Sequence, residues 1–227
     1  RNWTVKAKAW LSTETSNTVT ANYQVSGSVA SGYAHSLALK GTGGVFAWGL
    51  QTNGRLGNNL ATAANVTSPV ASLYAAGTQI GNGSLIAAGA DHTVFLKNDN
   101  SVWSFGTNAS GQLGDNSTTN RLVAVPVKKS TTATDYLTGC VSVAAGNGFS
   151  SAVYYSTGEV YTWGNQATGR LGNGSTAAGT RLYAGKVYQG TSGTTPLTGI
   201  KWVAAGGASA LGLNTTTGKV WAWGENT

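Results

Sequence analysis

The sequence predicts an all-β fold in which about four antiparallel sheets, of four strands each, follow one another along the chain. Charged residues make up only 9% of the 227 residues, against roughly 25% in an average soluble chain, and glycine is abundant, with 33 residues. Short apolar segments recur at a near-constant spacing. A hydrophobic fraction of 41% excludes a disordered chain, and no apolar stretch reaches the roughly 20 residues of a membrane-spanning helix.

The first element is a hairpin over residues 1–26, outside the repeat. Trp3 to Trp10 and Thr18 to Val25 alternate apolar and polar positions, as strands do, around a polar turn at Ser12 to Asn17. These segments resemble the closing strands of the C-terminal immunoglobulin-like module of chitobiase and β-hexosaminidase. The alternative is a hairpin that belongs to the repeated sheets. Because Arg1 starts in mid-strand, we expect the chain to be a piece of a larger protein.

The repeat covers residues 27–227 and is marked by aromatic-glycine pairs, whose aromatic members are Trp48, Phe105, Trp163 and Trp223. They are separated by 57, 58 and 60 residues. Six residues after each of the first three comes Gly-x-Leu-Gly. A small-small-Gly step precedes each aromatic, with its glycine at Gly32, Gly89, Gly146 and Gly206. Three kinds of anchor in register predict repeats over about 28–80, 81–138, 139–198 and an incomplete 199–227.

Each repeat reads as one four-stranded blade. In the second copy the predicted strands are Leu85 to Ala88, Thr93 to Leu96, Val102 to Phe105, and Leu122 to Val125, stopped by Pro126. Small residues suit an inner strand, where blades converge on an axis. The aromatic of the third strand is expected to fill the wedge between neighbouring blades. Stability is then shared between neighbours.

The second copy resembles the repeat of the regulator of chromosome condensation family. The resemblance rests on residues 87–96, 102–108 and 111–115, and it covers about 28–227. It implies a β-propeller whose parent has seven blades. The spacing here is longer than in the family, and the last copy stops before its Gly-x-Leu-Gly element. The remaining blades are therefore expected from the rest of a longer chain or from several chains that complete one ring.

Candidate ligand-binding residues recur at equivalent loop positions. Arg55 and Arg170 occupy one shared position, with Gln112 between them in the second copy, and Arg121 and Arg181 occupy another. Equivalent positions of a propeller project onto one face, so these groups are expected to read an anion or to dock a partner. The alternative is that each arginine ties its own loop to backbone carbonyls.

Other side chains of types that often act in catalysis or metal binding have structural interpretations here. His35 and His92 share one repeat position, and the third copy has Phe149 there, which indicates packing and hydrogen bonding within the blades. Asp91 and His92 are neighbours on a strand and point to opposite faces, so they do not form a dyad. Cys140 is expected to be a buried apolar residue. No metal-ligand motif and no cofactor motif is present, so neither is predicted.

These observations predict a non-enzymatic propeller module of a larger bacterial surface or secreted protein. Its partner would be a protein, a glycan or further copies of the chain, and neither nucleic acid nor membrane insertion is expected. The net charge is +7, but no block of like charges occurs.

Three alternatives stay open. A secreted enzyme inhibitor would use the aromatic residues Tyr74, Tyr136 and Tyr188. An exchange-factor or chromatin-type propeller is what the family resemblance implies. A glycoside hydrolase would need two of the few acidic residues to lie across a cleft.

Overall fold

The computed structural model describes residues 28–190 and 193–226, without the side chain of residue 76. It also describes the backbone of four short segments near the start. These are β1 (Trp3–Ala7), β2 (Trp10–Leu11), β3 (Glu14–Thr15) and β4 (Val19–Tyr23). β1 pairs antiparallel with β4, and β2 pairs with β3. Two short pairs thus replace the single pair of long strands that the alternation predicts, and β3 lies inside the predicted turn.

The rest of the described chain forms four consecutive antiparallel sheets, which we call blades 1 to 4. Blade 1 contains β5 (Val29–Ser31), β6 (His35–Leu39), β7 (Val45–Leu50) and β8 (Asn65–Ala71). Blade 2 contains β9 (Gly83–Ala88), β10 (His92–Lys97), β11 (Val102–Gly106) and β12 (Arg121–Pro126). Blade 3 contains β13 (Cys140–Ala145), β14 (Phe149–Tyr154), β15 (Val160–Asn165) and β16 (Thr180–Lys186). Blade 4 contains β17 (Trp202–Gly206), β18 (Ser209–Leu213) and β19 (Val220–Gly224).

Within each blade the strands pair in chain order, so the sheet runs outward from its first strand. The first strands pack on the preceding blade: β9 contacts β5 and β6, β13 contacts β9 and β10, and β17 contacts β13 and β14. This arrangement confirms the predicted partial β-propeller. One detail differs from the expectation: Pro126 is the last residue of β12 and pairs with Trp103 at the sheet edge. Blade 4 has three described strands.

Buried side chains lie between the blades. Leu37 and Phe105 belong to the cluster that joins blades 1 and 2, and Val94 and Trp163 to the one that joins blades 2 and 3. A further cluster joins blades 3 and 4. Each sheet therefore depends on its neighbours for burial of its apolar faces, as expected for a repeat protein. Among the described residues, no helix is long and apolar enough to cross a membrane.

The Gly-x-Leu-Gly elements close against the aromatic anchor of the following blade. A Cβ atom added to Gly57 would lie 2.8 Å from the Phe105 ring, and one on Gly114 would lie 2.8 Å from the Trp163 ring. Both glycines have positive φ angles, of +65° and +68°. Glycine is required there because the backbone is left-handed and the neighbouring ring fills the space of a side chain.

Candidate functional site

The turns between the first and second strands of the four blades converge near the axis. We call residues 32–34, 89–91, 146–148 and 206–208 the axial turns. Backbone hydrogen bonds link them in sequence: the Tyr33 amide donates to the Ala90 carbonyl at 3.0 Å, the Ala90 amide to Gly146 at 3.2 Å, and the Asn147 amide to Gly207 at 2.7 Å. The blades are thus joined by main-chain contacts that do not depend on side-chain identity.

A depression of about 370 Å³ lies among these turns, and all four blades contribute to its lining. Glycines at these turns allow the backbones of neighbouring blades to approach closely. A Cβ on Gly32 would lie 2.3 Å from the Gly89 carbonyl oxygen, and one on Gly89 would lie 2.6 Å from the Gly146 carbonyl oxygen. The small-small-Gly step therefore serves close approach of backbones at the axis, as the inner-strand argument predicts.

Tyr33 stands at the rim of this depression and is 88% exposed. Its backbone is held by blade 2, whereas its ring is free to meet solvent or a partner. Tyrosine combines a large apolar ring with a polar tip and is enriched at protein interfaces. Sequence reasoning missed this residue because its position is not repeated: the other axial turns have alanine, asparagine and glycine there.

The predicted residues Arg55 and Arg170 lie in the loops between the third and fourth strands, at the same end as the axial turns. The Arg55 guanidinium forms an ion pair with Asp91 of blade 2 at 2.9 Å, also contacts Thr52, and is 12% exposed. Arg170 donates to the Ala167 carbonyl at 3.0 Å and to the Asn147 carbonyl at 3.1 Å. Equivalent positions thus make different contacts. Blade 4 has an alanine where blade 2 supplies Asp91.

The third member of this set, Gln112, is buried and holds its own loop. Its side-chain oxygen accepts from the Ser110 amide at 2.9 Å. Its carbonyl oxygen accepts from the Trp163 indole at 2.9 Å and from the Ser150 hydroxyl at 2.7 Å. The loop of blade 2 therefore caps blade 3.

Arg121 and Arg181 lie at the start of the outer strands of blades 2 and 3. The Arg121 guanidinium pairs with Asp115 at 2.6 Å and so ties its own loop. Arg181 lies 6.0 Å from the centre of the Tyr183 ring. Within the described chain, the guanidinium contacts of these two arginines are with their own loop or strand and not with the other predicted residues.

The two histidines bridge neighbouring blades, through side chains rather than backbone. His92 Nε2 lies 2.8 Å from Ser150 Oγ of blade 3, and His35 Nε2 lies 3.3 Å from Thr93 Oγ1 of blade 2. Because the Ser150 hydroxyl donates to Gln112, it accepts from His92, which places the ring proton on Nε2. The Nδ1 atoms of both rings are buried without a hydrogen-bond partner among the described residues.

Burial keeps both imidazoles neutral. It lowers the pKa of His92 to about 3, with a smaller contribution from His35. It also lowers the pKa of His35 to about 4, assisted by the Arg55 guanidinium and opposed by the Asp91 carboxylate. A neutral imidazole locked between two sheets is a packing group. The structure thus supports the structural interpretation of this repeat position.

Four of the six acidic side chains in residues 28–190 and 193–226 form ion pairs with a base, among them Asp115 with Arg121. Asp91 pairs with Arg55, and Glu159 pairs with Lys186 at 2.6 Å. Asp99 pairs with Lys97 at 3.0 Å. No group of three or more His, Cys, Asp or Glu side chains that could hold a metal ion occurs in residues 28–190 and 193–226.

Cys140 is buried, and burial raises the pKa of its thiol to about 12. It stays a protonated thiol and is unsuited to act as a nucleophile.

The tyrosines between blades differ in accessibility. Tyr74 packs edge-on against Trp103, with ring centres 5.1 Å apart, and its hydroxyl donates to Asn82. Tyr136 is exposed, while Tyr188 is half-buried. All three lie in the connections that follow the fourth strands and do not line the axial depression.

Comparison with known proteins identifies similar repeats. Two family models described as "Regulator of chromosome condensation (RCC1) repeat" match residues 28–55 and 84–112, and residues 42–96 and 99–153. The probable E3 ubiquitin-protein ligase HERC4 of Mus musculus is 35% identical over 151 residues, which are 66% of this chain and 13% of that protein. The E3 ubiquitin-protein ligase HERC2 of Homo sapiens is 33% identical over 202 residues, or 87% of this chain and 4% of that protein. The chain thus spans a small part of these relatives.

Solved structures share the fold. Human WBSCR16 superposes with a TM-score of 0.68 at 22% identity, over 91% of this chain and 51% of that one. Yeast RCC1 (Prp20), in its complex with Kap60, superposes with a TM-score of 0.65 at 20% identity, over 90% and 46%. The chain therefore corresponds to about half of each of these propellers.

Proposed function

This chain belongs to the regulator of chromosome condensation (RCC1) repeat family, and on that premise we propose that it is a non-enzymatic module that docks a protein partner on its axial turns. The observation that carries the proposal is Tyr33, which is 88% exposed at the rim of a depression built by all four blades. An exposed aromatic beside a preformed concavity matches the anchors that dominate protein interfaces.

The surroundings of Tyr33 support docking. Cross-blade backbone hydrogen bonds hold the axial turns, so a partner meets a surface that is already ordered. The Arg170 guanidinium is anchored to the backbone at the same end of the blades and directs charge toward a partner. The solved structure of yeast Prp20p is described together with its binding to Gsp1p and histones, which are protein partners of a similar propeller.

The setting in which the module works is a further part of this proposal. Low charge content and abundant Thr, Ser and Asn support a place outside the cell, in a larger bacterial surface or secreted protein. The N-terminal strands would then be the end of an immunoglobulin-like spacer. A glycan, or further copies of the chain that complete the ring, would be the alternatives to an unrelated protein partner.

A matched pair of tyrosine variants tests the docking site. The chain is immobilised and used to capture partners from the extracellular fraction of its source. We expect Y33A to lose the captured protein while keeping the melting temperature of the unchanged chain. Tyr155, which is 60% exposed at the opposite end of the sheets, supplies the control, and Y155A should retain the partner. Capture that survives Y33A, or equal loss in both variants, contradicts the proposal.

A further inference from the structure

The two ends of the blades carry different basic side chains. Antiparallel strands bring the ends of the second and fourth strands and the starts of the first and third strands to one end of every blade. Five of the seven lysines of residues 28–226 flank these strand ends, and Lys128 and Lys129 lie on the connection that leaves the same end of blade 2. We call this set the lysine face: Lys40, Lys97, Lys128, Lys129, Lys186, Lys201 and Lys219. The four arginines of the same region lie at the end that holds the axial turns.

The net charge is concentrated on the lysine face. Its acidic residues are Asp99, Asp135 and Glu159, which leaves a formal charge of +4. The arginine end holds four arginines and three acidic residues, a formal charge of +1. Lysines that are far apart in sequence are thus gathered by the fold, which the absence of charge blocks in the sequence did not indicate.

Five of these lysines form no ion pair within the described chain: Lys40, Lys128, Lys129, Lys201 and Lys219. Two others are neutralised locally, Lys97 by Asp99 at 3.0 Å and Lys186 by Glu159 at 2.6 Å. Lys40 lies 4.4 Å from the centre of the Phe46 ring. Lys128 and Lys129 lie on the connection from blade 2 to blade 3, and Lys201 and Lys219 flank strands of blade 4.

We propose that the lysine face binds an acidic polypeptide segment, independently of the partner on the axial turns. The basic groups on this face are lysines, which act as point charges on flexible stems and suit scattered carboxylates. The arginine forks that grip phosphates and base edges lie at the other end. The lysines are separated by the connections between blades. Two of these connections contain an antiparallel bridge, Lys128↔Tyr136 and Tyr188↔Pro196. A flexible chain can pass between such connections more readily than a rigid duplex.

A charge-matched pair of variants tests this surface. The test variant removes four positive charges from the lysine face through K128Q, K129Q, K201Q and K219Q. The control lowers the net charge by the same amount at the other end through R170E and R181E. Fluorescence anisotropy measures the affinity of each chain for a labelled glutamate-rich peptide, and for labelled single-stranded and double-stranded DNA, over a series of salt concentrations. Melting temperatures establish that both variants are folded.

We expect the unchanged chain to bind the peptide, with an affinity that falls as salt rises. The test variant should weaken peptide binding by about tenfold, and the control should change it by less than about twofold. Equal losses in the two variants would show that net charge alone acts, and would overturn the proposal. Tighter binding of either DNA than of the peptide, or no peptide binding at low salt, would overturn it as well. A failure of Y33A to release the axial partner would leave this result unaffected.

Discussion

Blades 3 and 4 carry the same aromatic anchor in different surroundings. Trp163 of blade 3 is fully buried, and its indole nitrogen donates to the Gln112 carbonyl of blade 2 at 2.9 Å. Trp223 of blade 4 is half-buried, and its indole nitrogen has no hydrogen-bond partner among the described residues. A glycine of the preceding blade packs on both rings, Gly114 on Trp163 and Gly172 on Trp223. The difference therefore comes from the blade that holds each ring: blade 3 has four described strands, and blade 4 has three.

The outer flank of blade 4 extends this contrast. Trp202, Leu211 and Val220 are 55%, 49% and 61% exposed. By the repeat they correspond to Ser142, Ser151 and Val160 of blade 3, which are buried against blade 4 or within the sheet. A face of a blade is therefore buried where another described blade packs on it, which agrees with stability that is shared between neighbours.

The largest expected effect on stability comes from replacing the two anchor tryptophans with alanine. W163A should lower the free energy of unfolding by about 3–5 kcal/mol, because a fully buried indole leaves a cavity and loses its hydrogen bond. W223A should cost roughly half as much, because part of its ring already meets solvent. Urea denaturation measures both values. Equal losses would show that the repeat position, and not the number of strands around the ring, determines the contribution.

Gly114 and Gly218 have the same left-handed backbone conformation but different surroundings, so they separate steric contact from backbone strain. G114A should destabilise the protein by about 2–3 kcal/mol, since the new methyl group meets the Trp163 ring in addition to the strain of a positive φ. Gly218 has a φ of +70° and nothing within 4 Å of an added Cβ. G218A should therefore cost only the backbone strain, about 1 kcal/mol. Similar unfolding midpoints for the two variants would contradict the steric wedge.

The histidines of blades 1 and 2 predict a pH dependence that blade 3 lacks. In the unfolded chain a histidine has a pKa of 6.5, whereas the folded values are about 4 for His35 and about 3 for His92. The unfolded state binds protons first as pH falls, so stability is complete above pH 6.5 and decreases toward pH 4. Each histidine should contribute about 1.4 kcal/mol per pH unit in this range.

Blade 3 supplies the control for this prediction, because Phe149 occupies the equivalent position. The double variant H35F and H92F should show a much flatter dependence of melting temperature on pH between pH 4 and 6.5. An unchanged slope would mean that other groups cause the acid sensitivity and that these imidazoles are not held neutral.

The smallest expected effects distinguish the two equivalent arginines. R55A should lower stability by about 1 kcal/mol, because its guanidinium joins blades 1 and 2 through the partly exposed Asp91. R170A should stay within about 0.5 kcal/mol, since its contacts are with the loops of its own blade. Thermal melts of both variants measure this difference. A larger loss for R170A would show that the loop contacts matter more than the ion pair between blades.

Much of the fold was predictable from the anchors, because the steric demands of a blade recur every 58 residues or so. The strand positions of blade 2, the burial of Phe105 and Trp163, and the small residues at the axis all follow from that register. The candidate site was predictable only in part. Arg55 and Arg170 share a position but contact different groups, and Tyr33 occupies a position that does not repeat.

The sequence by itself determined the repeat, the order of the strands and the aromatic wedge, since these depend on side-chain size and on local backbone conformation. Only the tertiary structure decided which arginine meets Asp91, how far each tryptophan is buried, and that the lysines separate from the arginines. Those properties depend on which neighbour stands across each interface and on the alternating direction of the strands, and distance along the chain does not encode them.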